Sequence, residues 1–251
     1  MTRSIAKSLL RLFGVEIRRL SGSGNLTPST MNGGLARARE RKHRPATVID
    51  VGAAEGKWSL QAMEFWPEAE YLLVEPLEER RKQLERLAGT HRNVHIVNAA
   101  AGAEAGEVDF FVTDDLDGSG IADNGTGAVA HKVAVVSVDE VIRHLQLKPP
   151  YLLKLDTHGY EAPILRGAAD TLRHSELLII ECYGFHVAPG CLLFWELCQR
   201  LDTAGFRVID IVDVIRRRGD LGFWQCDAFF IPRGHECFSR NTFGNVLERQ
   251  S

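Results

Sequence analysis

The feature that most constrains this chain is the run Val48 to Gly56 (Val-Ile-Asp-Val-Gly-Ala-Ala-Glu-Gly), followed by Glu75. An apolar run ending in glycine-punctuated residues predicts a buried strand that turns sharply into a helix. Glu75 falls at the tip of the next expected strand. A strand–turn–helix followed at that spacing by an acid describes a pocket for a ribose-bearing ligand at the start of an α/β sheet.

Which ligand depends on a missing glycine. A dinucleotide fingerprint needs a middle glycine so that backbone can approach a pyrophosphate. Here the turn runs Gly52, Ala53, Ala54, Glu55, Gly56. Two phosphates facing Asp50 and Glu55 would be repelled. A positively charged sulfonium and ammonium would not, so S-adenosylmethionine suits the turn better. Glu75 would then accept hydrogen bonds from its ribose hydroxyls. Gly52, Ala53, Glu55 and Gly56 would shape the turn around it. Trp58 would flank its methionine end or simply pack, and Asn98 and Ala99 would border the adenine.

The chain's organisation supports one catalytic body. From residue 46 onward strand and helix patterns alternate, as in a doubly wound sheet. Strands are expected near 47–51, 70–75, 93–98, 151–156, 177–182, 206–212 and 226–231, and helices near 56–65, 78–88, 137–145, 161–173 and 191–204. Between the third and fourth of these strands, residues 107–113 and 131–136 read as two more strands. The Gly-, Asp- and Asn-rich segment 114–130 between them would act as a substrate lid. The final two strands read as an antiparallel hairpin at the sheet edge. Dinucleotide folds lack that ending and Class I methyltransferase sheets have it. The expected divisions are a basic arm and linker over 1–45, a catalytic domain over 46–232 and a tail over 233–251.

Charge is unevenly distributed. Residues 1–45 carry ten Lys/Arg against two acids, and the remainder twenty against thirty-one. At helical spacing, residues 3–20 put Arg3, Lys7, Arg11, Arg18 and Arg19 on one half and Ile5, Leu9, Leu10, Leu12, Phe13, Ile17 and Leu20 on the other. Such an amphipathic helix would dock on the body, pair with a second copy, or lie on an anionic membrane surface. The basic run 37–44 reads as a solvated face. No aromatics interleave with it as a nucleic-acid groove requires, so no nucleic-acid partner is expected. Five cysteines in mostly apolar contexts, with no Cys-x-x-Cys, point to a reducing compartment. No signal peptide or membrane span is visible. The expected location is cytoplasmic, or peripheral at the inner face of a membrane.

The second informative stretch is Tyr151 to Glu161 (Tyr-Leu-Leu-Lys-Leu-Asp-Thr-His-Gly-Tyr-Glu). With period two, Lys154 and Asp156 share one face of a strand. Gly159 permits a turn, and Glu161 opens the next helix. That strand ends beside the first, at the switch point where ligands bind, so Lys154, Asp156 and His158 would gather next to the cofactor.

Taken together, these segments resemble the FkbM-type S-adenosylmethionine-dependent methyltransferases. The matching stretches are Ile49 to Gly56, Glu75-Pro76, Asn98 to Ala100, Lys154 to Glu161, Ile164 to Ala168, and Ile179 to Glu181. The resemblance implies a Rossmann-like Class I methyltransferase sheet and O-methylation, commonly of a sugar, glycan or glycosylated natural-product hydroxyl. Two positions depart from the family pattern: Ala54 replaces an Asn, and His158 stands where an acid or amide is usual.

A role for His158 therefore has to be argued from chemistry. Methyl transfer is an in-line displacement, favoured by holding oxygen, methyl and sulfur collinear. A base that takes the proton of a weakly nucleophilic hydroxyl adds about 10²–10⁴-fold. A histidine suits this role, so His158 is a candidate base, oriented by Asp156 or Glu181. Asp156 is itself a candidate base or acceptor ligand, and Lys154 completes the set. Alternatively His158 caps the turn and Asp156 binds Lys154 structurally. Asp156, His158 and Glu181 could ligate a divalent ion. No paired-acid signature follows the strand, so no metal is expected. Two other classes remain open: a nicotinamide-dependent oxidoreductase, and a non-catalytic membrane-associated scaffold of the same fold.

Overall fold

A computed structural model describes residues 29–113, 116, 118–121 and 129–239. The expected helix 3–20, the linker 21–28, most of the lid segment 114–130 and the tail beyond 239 lie outside the described residues.

Seven strands form the main sheet: β1 (Thr47–Val51), β2 (Glu70–Val74), β3 (Val94–Val97), β7 (Tyr151–Leu155), β8 (Ser175–Tyr183), β9 (Phe206–Arg216) and β10 (Phe223–Pro232). Their order is β3-β2-β1-β7-β8-β10-β9. All pairs are parallel except β10 with β8 and with β9, which gives the antiparallel edge hairpin. The chain therefore has the expected α/β fold, a Rossmann-like Class I methyltransferase sheet.

Period-two alternation divides the core between the two faces of this sheet. Val48, Tyr71, Leu73, Leu152, Ile179 and Phe229 pack on one face, and Ile49, Leu72, Leu153, Leu178 and Phe230 on the other. The first face is covered by α1 (Met31–Glu40), α2 (Lys57–Met63) and α3 (Glu78–Thr90). The second is covered by α4 (Val138–Leu145), α5 (Glu161–Gly167) and α7 (Phe194–Thr203). Burial on both faces explains why β1 and β7 are apolar apart from Thr47, Asp50 and Lys154.

Helix α1 corrects the reading of 37–44 as a solvated face. Thr30 caps it, accepting from the Gly33 N–H at 3.3 Å, and Asp213 accepts from the Met31 N–H at 2.7 Å. Arg37 Nε then pairs with Asp210 of β9 at 2.5 Å. Gly34 lets the helix press on the sheet, since a Cβ there would lie 2.6 Å from Phe229 Cζ. A second correction concerns the single helix expected over 161–173. It breaks at Ala168 into α5 and α6 (Ala169–Arg173). At the break, a Cβ on Gly167 would sit 2.0 Å from the Gly102 carbonyl oxygen.

The insertion forms a small sheet in the order β4-β6-β5: β4 (Ala100–Ala101), β5 (Gly106–Val112) and β6 (Val129–Val136). Strand order reverses at β1, which lies between β2 and β7, and the insertion overhangs the C-terminal ends of these strands. No helix among the described residues is long and apolar enough to cross a membrane.

Candidate active site

A cavity of about 310 Å³ opens at the C-terminal ends of β1, β2, β7 and β8. Phe110, Leu116, Ser119 and Ile121 of the insertion contribute to its wall. It lies at the topological switch point, where open α/β sheets bind ligands.

One half is built on the β1 turn. Gly52 adopts φ +77°, and a Cβ there would fall 2.0 Å from the Asp156 carbonyl oxygen, so only glycine fits. Ala54, at φ 48°, donates its N–H to Glu75 Oε2 at 2.8 Å. The Leu77 N–H donates to Glu75 Oε1 at 3.0 Å. Both oxygens are thereby fixed, and the carboxylate, only 5% exposed, lines the cavity. Burial pushes its pKa above the usual range, and the two backbone donors partly offset that. Ala99 lines the same wall.

Several residues expected at the cofactor stand elsewhere. Asp50 is fully buried behind the turn, accepting from Ser59 Oγ at 2.7 Å and Lys154 Nζ at 3.3 Å. Ala53 is buried and off the cavity wall. Glu55 points away and pairs with Lys57 at 2.5 Å and Arg80 at 3.8 Å. Gly56, at φ +77°, caps α2; a Cβ there would lie 2.7 Å from Leu87 Cδ1, so its smallness serves packing against α3. Trp58 places its ring 5.3 Å from Lys154 Nζ and does not reach the cavity. Asn98 is exposed and acts as a brace, donating from Nδ2 to the Glu75 carbonyl at 3.0 Å. In their place Ala54, Leu77 and Arg80 line the wall, and no side-chain pattern in the sequence marks them.

The other half gathers titratable groups. Lys154, expected next to the cofactor, is 3% exposed and lies beneath the floor. Its Nζ sits 3.3 Å from Asp50 Oδ1 and 3.1 Å from Asp156 Oδ2. Burial alone would favour neutral lysine, but the two carboxylates outweigh it and hold the ammonium charged. Asp156 lines the cavity. Burial pushes its carboxyl up, but the Lys154 ammonium pushes harder the other way, so it is held below the usual range.

His158 sits at φ 50°, in the left-handed region, at the start of the turn closed by Gly159. Its Nδ1 is 3.3 Å from the Ser119 carbonyl, which can only accept, so Nδ1 carries the proton. Nε2 then faces Asp156 Oδ1 at 3.7 Å and Glu181 Oε2 at 3.9 Å. Glu161 is buried below. It accepts from the Gly159 N–H at 2.9 Å and Thr157 Oγ1 at 3.1 Å, which fixes the turn.

Glu181 completes the floor. Tyr183 donates its hydroxyl to Oε2, and Gln225 Nε2 donates to Oε1 at 2.6 Å. Burial and then the nearby Asp156 charge push its pKa up to about 9. Tyr183, Gln225 and Ser119 were not singled out in the sequence. Tyr183 shares a strand face with Glu181 and was readable on that ground. Gln225 and Ser119 are brought in by the hairpin and the insertion.

These features can be set beside known proteins. A family model described as the methyltransferase FkbM domain matches residues 50–208. A search of curated protein sequences found no match. Among solved structures, the chain is similar to a methyltransferase FkbM from Methylobacillus flagellatus KT, with 15% identity and a TM-score of 0.50. That alignment covers 73% of this chain and 43% of the other, so the chain spans less than half the length of that relative. A putative O-methyltransferase from Klebsiella pneumoniae is 13% identical with a TM-score of 0.46, over 91% of this chain and 89% of the other. A Burkholderia thailandensis 1,6-didemethyltoxoflavin-N1-methyltransferase, solved with S-adenosylhomocysteine, is 13% identical with a TM-score of 0.43, over 79% and 76%. At 15% identity the likeness to the Methylobacillus flagellatus protein speaks for the fold alone.

Proposed function

The chain belongs to the FkbM methyltransferase family, and we propose that it methylates a hydroxyl of a sugar, glycan or glycosylated natural product, with S-adenosylmethionine as donor. The observation that carries this reading is one cavity with two unlike halves: the fixed Glu75 carboxylate at one side and the Asp156–His158–Glu181 cluster at the other.

The donor fits the first half on chemistry. Glu75 retains acceptor capacity for a ribose diol after taking two backbone N–H bonds. Gly52 leaves open the space a side chain would fill. When bound, the donor supplies an electrophilic methyl on a positively charged sulfur.

At the second half, the cluster holds the acceptor hydroxyl and is where its proton is lost. The oxygen forms a bond to the methyl carbon as the carbon–sulfur bond breaks, and that electron pair stays on sulfur. Lys154 fixes Asp156 from below, and Ser119 fixes the His158 ring. The protein's contribution is chiefly orientation. The alternative of a nicotinamide-dependent oxidoreductase is disfavoured by the family match and by the β1 turn, which lacks the middle glycine.

An assay with methyl-labelled S-adenosylmethionine on a panel of sugars and lipid-linked glycans tests the acceptor class. Label on a product oxygen, located by mass spectrometry, supports the reading. Label on nitrogen or carbon acceptors alone would overturn it. We also propose that the basic segment 3–20 attaches the enzyme to an anionic membrane or to a second copy. Flotation with anionic vesicles, with and without residues 1–20, separates the two.

A further inference from the structure

We propose that Asp156 Oδ1, His158 Nε2 and Glu181 Oε2 form a site for one divalent first-row transition-metal ion, of the manganese or zinc type, which receives the acceptor hydroxyl. The inference rests on the methyl-transfer reading above and gives that site a metal.

Geometry is the first support. The three donor atoms all lie within 4.8 Å of one another at the cavity floor. His158 Nε2 is 3.7 Å from Asp156 Oδ1 and 3.9 Å from Glu181 Oε2. Two donors bound tetrahedrally at about 2.1 Å from one ion stand about 3.4 Å apart. The His158 pairs need to close by a few tenths of an ångström, and the Asp156–Glu181 pair, within 4.8 Å, by at most about 1.4 Å.

Orientation is the second. Metal-binding side chains are held by outer hydrogen bonds that aim their free electron pairs. Here every one of the three is so held. The Nδ1–H of His158 donates to the Ser119 carbonyl, which leaves the Nε2 lone pair facing the cluster. Asp156 is tied through its other oxygen to Lys154 at 3.1 Å. Glu181 is held by Tyr183 and Gln225. The Lys154 ammonium is already shared with Asp50, so it does not neutralise both floor carboxylates.

One imidazole and two carboxylates suit manganese or zinc better than magnesium, which prefers an all-oxygen shell with several waters. The acceptor oxygen, bound to the ion, would lose its proton to solvent water at a lower pH than the free alcohol does. The resulting oxyanion then attacks the methyl carbon. The paired-acid rule misses this set because its acids sit apart in sequence, Asp156 just past β7 and Glu181 on β8.

The test is calorimetric titration of manganese chloride into the chelator-treated full chain, after S-adenosylhomocysteine binding has been measured on the same sample. One ion per chain is expected. His158→Asn, which tolerates the left-handed backbone, should abolish ion binding and leave S-adenosylhomocysteine affinity unchanged. Tyr183→Phe, a milder change, should weaken the ion about 10-fold. If S-adenosylhomocysteine binds but manganese does not, or if His158→Asn binds it as tightly as the parent, the metal inference is overturned and the methyl-donor reading stands. If S-adenosylhomocysteine itself fails to bind, the methyl-donor reading falls and the ion's proposed role falls with it.

Discussion

Lys154 Nζ lies 3.1 Å from Asp156 Oδ2, so the ammonium beneath the cavity floor fixes a carboxylate that lines the cavity above it. The same nitrogen reaches Asp50 Oδ1 at 3.3 Å, across the register pair that joins β1 to β7. One buried cation therefore ties β1 to the end of β7.

Lys154→Met should consequently act on stability before it acts on chemistry. Breaking a buried ion pair from one side costs about 3–5 kcal/mol, because the partner charge is left uncompensated. Urea unfolding measures the loss. Adding Asp50→Asn should recover part of it, since the Asn side-chain oxygen can still accept from Ser59 Oγ. A double variant no more stable than Lys154→Met alone would refute the pairing.

Glu75→Gln should weaken S-adenosylhomocysteine by roughly 10- to 100-fold, the value of about 1.5–3 kcal/mol for hydrogen bonds to a charged group. Ligand linkage offers a second readout. S-adenosylhomocysteine should raise the melting temperature of the parent chain and NAD should not. A rise with NAD alone would reverse the cofactor assignment.

The pH dependence of stability should carry a signature of His43. Its ring is buried, Nε2 has no hydrogen-bond partner among the described residues, and burial, then His235 and the neighbouring Arg41 and Arg44, lower its pKa to about 4. Between about pH 4 and 6.5 the unfolded chain binds the proton and the folded chain does not. Stability from this group is thus full above about pH 6.5 and falls as pH drops toward 4, by about 3 kcal/mol. His43→Leu should flatten that part of the curve in parallel urea titrations. Equal slopes for parent and variant would contradict the assignment.

Much of this was legible in the sequence, for physical reasons. β1 and β7 are buried on both faces, so they are apolar apart from Thr47, Asp50 and Lys154, and the cavity falls at the strand ends. Gly52 and Glu75 were visible because backbone approach and a carboxylate at fixed spacing leave few alternatives. Asp50, Gly56 and Trp58 were misplaced because the sequence shows that a residue is polar, small or aromatic but not which side of a turn it faces. Helix α1 was not expected because glycine is a poor helix former, whereas Gly34 serves close packing on Phe229. Tyr183, Gln225 and Ser119 meet only through tertiary structure.

The central claim, one cavity in which Glu75 holds the donor and Asp156 serves the acceptor, is tested most directly by Asp156→Asn. Methyl transfer and S-adenosylhomocysteine affinity should be measured on the same preparation. The account predicts that transfer is lost while affinity stays within about 2-fold, well under the 1.4 kcal/mol of a tenfold change. Full activity in that variant, or loss of activity and affinity together in a folded protein, would contradict it.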